Sequence, residues 1–180
     1  MEEVVVKDLV FEPYLTREEI GKQVRRVAQE IKRDLETKTP IFLCVLNGAF
    51  IFAADLFREC NLPESEITFI RFKSYDGTQS TGEVKEIMGL NEPIEGREVI
   101  IVEDIVDTGG TASRLRKRLQ ALNPKSVRMA SLLFKPESLE VGNPPEYVGF
   151  KIPAKFILGY GLDLDGLGRN LPDIYVLKNE

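Results

Sequence analysis

The sequence predicts an α/β protein, an open and mostly parallel twisted sheet flanked by helices. Three observations carry this expectation. IFLCVL at 41–46 and EVIIV at 98–102 are short apolar runs of the kind that strands covered on both faces require. A segment with apolar residues at helical spacing follows each of them. Strand, helix, strand at this spacing is a right-handed crossover unit, which makes neighbouring strands parallel. The 180 residues, 43% hydrophobic and 29% charged, suit one soluble domain with a substantial core.

The elements follow in order. A first helix starts at Thr16, where TREE supplies an N-cap and sets Glu19 for a capping box. Ile20, Val24, Val27, Ile31 and Leu35 then recur at helical spacing, and Thr39-Pro40 ends the unit. After IFLCVL, Asn47-Gly48 makes a turn and AFIFAADLFREC, 49–60, reads as a buried helix. EITFIRFKSY, from 66, alternates and is rich in Ile, Thr, Phe and Tyr, as a strand should be. DGTQSTGEVKEIMGL, 76–90, is polar with two glycines and reads as a long arm, partly hairpin. EVIIV is the next strand, and a helix runs from Gly110 to Leu122, stopped by Asn123-Pro124. SVRMASLLF at 126–134, AKFILGY at 154–160 and IYVL at 174–177 supply further strands.

Composition removes several chemistries. With no histidine, Ser-His-Asp and Cys-His catalysis and every imidazole zinc site are excluded. Acid–base work falls to Asp, Glu, Lys, Tyr or the substrate. Cys44 and Cys60 lack metal-ligand spacing, and Cys44 inside IFLCVL reads as a small buried hydrophobe, so no disulfide is expected. A net charge of −5 speaks against nucleic acid as partner. Arg114, Arg116, Lys117 and Arg118 read as the solvated face of one helix. No apolar run approaches the ~20 residues of a membrane span. MEEVVVKDLV has no secretory pattern, so the cytoplasm is expected.

The chemistry concentrates in VIIVEDIVDTGGTASRL, 99–115, where Glu103, Asp104 and Asp107 precede a Thr-Gly-Gly-Thr turn and a basic helix. A solvated acidic loop is the plain reading, although three carboxylates so close repel unless donors or cations are near. Asp107-Thr108-Gly109 is also the aspartic-protease tripeptide, but it occurs once and precedes a helix. Neither G-x-x-x-x-G-K-[ST] nor G-x-G-x-x-G is present. A sugar-phosphate cradle fits best. Glycines let backbone N–H groups converge on a phosphate, Thr108 and Thr111 add hydroxyls, and the helix from Gly110 aims its positive end there. The carboxylates would then meet ribose hydroxyls and a Mg²⁺-bound diphosphate.

VIIVEDIVDTGGT resembles the 5-phosphoribosyl 1-diphosphate (PRPP) signature of type I phosphoribosyltransferases: four apolar residues, an acidic pair, two apolar residues, then D-T-G-x-T. LNGAFIFAADL, SYDGTQSTGEVK, ASLLFKPES and VGFKIPAKFILGYGLD are similar to segments of the hypoxanthine-guanine subfamily and span most of the chain. The resemblance implies that family's fold, with a small hood from about 1–15 and 152–180 and a mobile arm at about 73–90. It also implies transfer of phosphoribose from PRPP to N9 of hypoxanthine or guanine, giving IMP or GMP and diphosphate.

By the same resemblance, Glu103 and Asp104 should bind the ribose hydroxyls and Asp107 should face N7 of the purine as general base. Asp107, Thr108, Gly109, Gly110 and Thr111 should wrap the 5′-phosphate. Leu46, Asn47, Gly48, Ser74, Tyr75 and Arg169 should serve the diphosphate. Lys135 should donate to O6, Phe156 should stack on the base, and Ile157 should offer backbone groups to its edge. Asp163, near the base, should help hold Mg²⁺, with Glu103 and Asp104 contributing directly or through water. Read without the family, Phe156 is a core residue and Lys135 a surface lysine.

Many relatives carry Lys where Asn47 stands and Asp where Ala154 stands, which puts a side-chain role for Asn47 in doubt. The family often uses a strained, sometimes cis, peptide at that loop. DLDG at 163–166 resembles an EF-hand start, but Ile174 stands where the closing Glu belongs. A homodimer or homotetramer is implied. Two alternatives are a xanthine-preferring transferase and a nucleotide-sensing RNA-binding regulator on the same fold.

Overall fold

The computed structural model describes residues 2–35, 38–73, 85–90 and 92–178. In chain order the elements are β1 (Val4–Val6), β2 (Leu9–Leu15), α1 (Arg17–Leu35), β3 (Ile41–Leu46), α2 (Phe50–Cys60), β4 (Glu66–Lys73) and β5 (Lys85–Met88). Then come β6 (Glu98–Val106), α3 (Gly110–Gln120), β7 (Ser126–Phe134), β8 (Tyr147–Lys151), β9 (Ile157–Leu158) and β10 (Ile174–Leu177). The main sheet has the order β5-β4-β3-β6-β7-β8. Its strands from β4 to β8 pair in parallel, and β5 closes the edge antiparallel to β4.

Strand alternation divides the core. Phe42, Cys44, Ile100 and Val102 face one side, where they meet Val24, Val27 and Ile31 of α1 and Phe52 and Leu56 of α2. Ile41, Leu43, Val99 and Ile101 face the other, where Leu115 and Leu119 of α3 cover them. Both faces of β3 and β6 are thereby buried, which is why these segments read as continuous apolar runs. The two cysteines are free and buried.

A second sheet, β1-β2-β10-β9, is wholly antiparallel and joins the two ends of the chain. Phe11, Leu158 and Tyr175 form its own small core. Asp173, 3% exposed, ties it to the main body by accepting from the Arg17 backbone N–H at 2.7 Å and from the guanidinium at 3.1 Å.

Three differences from the sequence expectation stand out. β1, β2 and β8 carry weak strand patterns, because β2 contains Pro13 and β8 holds Gly149 at its centre. β9 and β10 form, but in the second sheet. β6 runs four residues past Val102, since β7 continues the ladder with Glu103 opposite Ser131 and Val106 opposite Phe134. The acidic run therefore lies on strand until Asp107.

The basic helix is not uniformly solvated. Arg116, its side chain 11% exposed, makes a two-pronged pair with Glu146 at 2.9 and 2.7 Å. Within the expected arm, β5 is the hairpin return, and residues 74–84 lie outside the described residues.

The capping box forms as expected. The Thr16 N–H donates to Glu19 Oε2 at 2.9 Å, and the Glu19 N–H donates to Thr16 Oγ1 at 3.1 Å. Thr16→Ala should lower unfolding stability by about 1 kcal/mol, read as a reduced urea midpoint with an unchanged slope.

Candidate active site

The parallel strands β4, β3, β6 and β7 end at the same edge of the main sheet, where many of the sequence-predicted residues stand. β3 runs into the turn Asn47–Ala49 before α2, and the Leu46–Asn47 peptide is cis. β6 runs through Glu103 and Asp104 to Asp107, and β7 ends just before Lys135. In such folds the carboxyl ends of the strands form the ligand crevice.

Gly48 is where the first two of these ends meet. A methyl group at Gly48 would lie 1.6 Å from Asp104 Oδ2, so only glycine lets the loop cross the carboxylate. Asp104 is fixed from its other oxygen, because Oδ1 accepts from the Ile105 N–H at 2.8 Å.

The segment after β9 completes this corner. Arg169 donates from Nη1 to the Gly161 carbonyl at 2.7 Å and pairs with Asp163 at 2.7 Å. The Gly166 N–H donates to Asp163 Oδ2 at 2.6 Å. Burial pushes the Asp104 carboxyl up to about 6, with the Asp163 charge adding and Arg169 opposing. Burial first, and the Asp104 charge second, hold Glu103 well above the usual carboxylate range.

The turn directly after β6 leads into the start of α3. Gly109 caps α3 with φ +85°, a conformation that leaves Thr108 and Thr111 exposed beside the helix start. The Glu140 and Val141 N–H groups donate to the Thr108 carbonyl at 3.0 and 3.2 Å, which braces the turn from behind. No acidic residue stands in the first turn of α3, so its positive end faces outward unopposed from within the helix.

Lys135 and Asp107 come together at the ends of β7 and β6. The Lys135 N–H donates to the Val106 carbonyl at 2.9 Å, and its ammonium pairs with Asp107 Oδ2 at 2.9 Å. The lysine side chain is 12% exposed and the aspartate 46%, so the pair opens outward.

A sugar-phosphate site at this edge agrees with the comparisons. The chain's residues 12–165 match the phosphoribosyl transferase domain family. The chain belongs to that family. Among its relatives is the hypoxanthine-guanine phosphoribosyltransferase of Streptococcus thermophilus (strain CNRZ 1066), 39% identical over 97% of this chain and 95% of that protein. The bifunctional protein TilS/HprT of Listeria innocua is 40% identical over 92% of the chain, which spans only 26% of that longer protein. Among solved structures, the Trypanosoma cruzi hypoxanthine phosphoribosyltransferase in complex with the product IMP aligns with a TM-score of 0.87 at 34% identity, covering 98% of each chain.

Within this phosphoribosyltransferase the expected residues fall into three groups. Gly48 crosses Asp104, Asp163 pairs with Arg169, and the charges of that pair act on Asp104, with Leu46 and Asn47 leading into this corner and buried Glu103 beside it. Asp107 and Lys135 form a pair beside the Thr108–Thr111 turn. Phe156 and Ile157 lie on the second sheet, Ile157 buried and Phe156 exposed at 37% with its ring 6.1 Å from Phe11. Ser74 and Tyr75 lie outside the described residues. The sequence reasoning missed Gly161 and the bracing segment Glu140–Val141. Two glycines flanking Tyr160 were the available signal for the first.

A carboxyl group with a raised pKa in the folded state costs stability above its unfolded value and nothing below it. Asp104→Asn should therefore leave stability unchanged near pH 4. It should raise stability on the order of 2 kcal/mol above pH 6, read as a pH-dependent shift in the denaturant midpoint.

Proposed function

We infer that the protein is a purine salvage enzyme. It transfers the 5-phosphoribosyl group from PRPP to N9 of hypoxanthine or guanine, giving IMP or GMP and diphosphate. The observation that carries this reading is the Lys135–Asp107 pair at 2.9 Å beside the Gly109–Gly110 turn. Its ammonium donates and its carboxylate accepts, side by side. The O6 carbonyl and the neighbouring N7–H of a 6-oxopurine present the complementary pair. An aminopurine would turn N–H groups toward an ammonium that cannot accept.

In this reading N9 attacks C1′ as the bond from C1′ to diphosphate breaks. Asp107 takes the N7 proton, so the purine gains the ribosyl group without holding a positive charge. Thr108, Gly109, Gly110 and Thr111 hold the 5′-phosphate at the start of α3, with the Asp107 backbone closing the loop. Glu103 and Asp104 take the ribose hydroxyls. Leu46, Asn47 and Gly48 offer backbone groups to the diphosphate, and Arg169 offers its guanidinium. Ser74 and Tyr75 close over it. Phe156 stacks on the base and Ile157 meets its edge.

Hard oxygen donors suit Mg²⁺, and the mutual repulsion of Asp104 and Asp163 gives a cation a place. Among the described residues no cluster of three or more acidic or thiol side chains is preformed for a metal. Asp163 would thus hold Mg²⁺ together with the diphosphate oxygens, and Glu103 and Asp104 through water. When bound, the ion neutralises the leaving diphosphate.

The chain acts as one domain over 1–180, with the hood from 1–15 and 152–180 and the arm at 73–90. Exposed Phe50 and Phe69 favour assembly as a homodimer or homotetramer. The cytoplasm is the proposed location, and no described helix is long and apolar enough to cross a membrane.

Rates measured side by side on hypoxanthine, guanine, xanthine and adenine with PRPP and Mg²⁺ test the assignment. Turnover of the first two and none of adenine is expected. A protein that turns over none of them, or that binds RNA instead, sinks it. Asp107→Asn should lower kcat roughly 10²-fold while the KM for PRPP stays within about threefold; unchanged kcat removes Asp107 from the mechanism.

A further inference from the structure

The turn Gly159–Gly161 is an unusual piece of backbone, since three consecutive residues have positive φ: +103°, +48° and +102°. Tyr160 stands in the middle. An aromatic residue in the left-handed region costs about 1–2 kcal/mol unless its surroundings enforce it. The surroundings here are specific. Tyr160 is 8% exposed and packed into the core shared by α1 and α2, and its hydroxyl donates to Asp55 Oδ2 at 2.5 Å. Asp55 lies on α2 and is steadied by Arg58 on the same helix. Burial, with Asp55 next, pushes the phenol far above its ordinary value, so Tyr160 remains a donor.

What the turn touches gives the hydrogen bond a consequence. A methyl group at Gly161 would sit 2.1 Å from the Gly48 carbonyl oxygen, so the turn presses on the loop that crosses Asp104. The Gly161 carbonyl accepts from Arg169 Nη1 at 2.7 Å, and its N–H donates to the Arg169 carbonyl at 3.0 Å. One short turn therefore sets the Gly48 peptide on one side and the Arg169 guanidinium on the other. Both stand in the diphosphate site proposed above.

We propose that Tyr160 and Asp55 are positioning residues for diphosphate, their buried hydrogen bond clamping the 159–161 turn so that the Gly48 peptide and Arg169 stay in register. Neither touches the substrate. The proposal rests on the phosphoribosyltransferase reading of the site. It predicts a selective defect, because the proposed purine contacts are held separately, Lys135 by its N–H on the Val106 carbonyl and Phe156 and Ile157 by their pairing with β10.

Tyr160→Phe, Asp55→Asn and the double variant test it, with kinetics in each substrate and calorimetric titration of Mg²⁺-diphosphate. Tyr160→Phe should raise the KM for PRPP and the diphosphate Kd roughly tenfold, with the purine KM within about twofold. The double variant should lose no more than the worse single variant, since both remove one interaction. A diphosphate Kd within about twofold of wild type overturns the proposal, and so does a parallel loss in both substrates or an additive double variant. If wild-type protein transfers no phosphoribose, the functional reading fails by itself, and the diphosphate titration still decides the clamp. Wild-type protein that binds no diphosphate removes both.

Discussion

Two carboxylates buried next to each other at the end of a central strand are the constraint on which the site depends. Glu103 and Asp104 stand on β6, which is flanked by β3 and β7 and covered by helices on both faces. Burial raises both carboxyl pKa values, with the Asp104 charge adding to the rise at Glu103 and the Asp163 charge to that at Asp104, so charge on them is unfavourable in the substrate-free protein. Gly48 lets the neighbouring loop approach Asp104, and Arg169 supplies the one opposing charge among the causes of its shift. Such charge, costly when the site is empty, is what hydroxyl donors and a cation-bound diphosphate would relieve. A site of this kind trades stability for binding.

Much of this was legible in the sequence, and the reasons differ by element. β3, α1 and β7 have the bounds that their apolar patterns predict, because burial on a regular periodicity leaves a direct imprint. The motif at 99–111 was legible for another reason: its glycines, hydroxyls and acids have few structural uses in common. The second sheet was harder. β1 and β2 are short, half-exposed and interrupted by Pro13, so their pairing rests on Phe11, Leu158 and Tyr175 meeting across the whole length of the chain. Arg116 illustrates the same limit. Its burial depends on Glu146, thirty residues away in a loop, and nothing in the local charge run signals that partner. Contacts that exist only after the chain closes leave no local pattern.

In the proposed reaction the Lys135–Asp107 pair carries the chemistry because neither partner is locked. An ion pair with one member nearly half-exposed contributes on the order of 1 kcal/mol or less, so exchanging it for a base costs little. Each member would find a substitute in a 6-oxopurine, O6 for the ammonium and the N7 proton for the carboxylate. A base lacking either group leaves a charged side chain without its partner. Penalties of that kind discriminate more strongly than lost apolar contact. Specificity thus comes from two half-buried charges that already satisfy each other.

In the same reading, the division of the molecule into two sheets would let this exchange occur beside a rigid phosphate site. The phosphate turn, the carboxylates and the Gly48 loop all belong to the main sheet, where six strands and three helices fix them. Phe156 belongs to the second sheet, which rests on the main body through Arg17 and Asp173. Between the two runs the segment from Gly159 to Arg169, held on one side by the Gly48 carbonyl and on the other by β10. A tight, glycine-permitted turn anchored by Tyr160 in the core lets that stretch cross without opening the gap between them. In the proposed reading the diphosphate corner then depends on one short connection, which reaches into the main core through Tyr160 and Asp55.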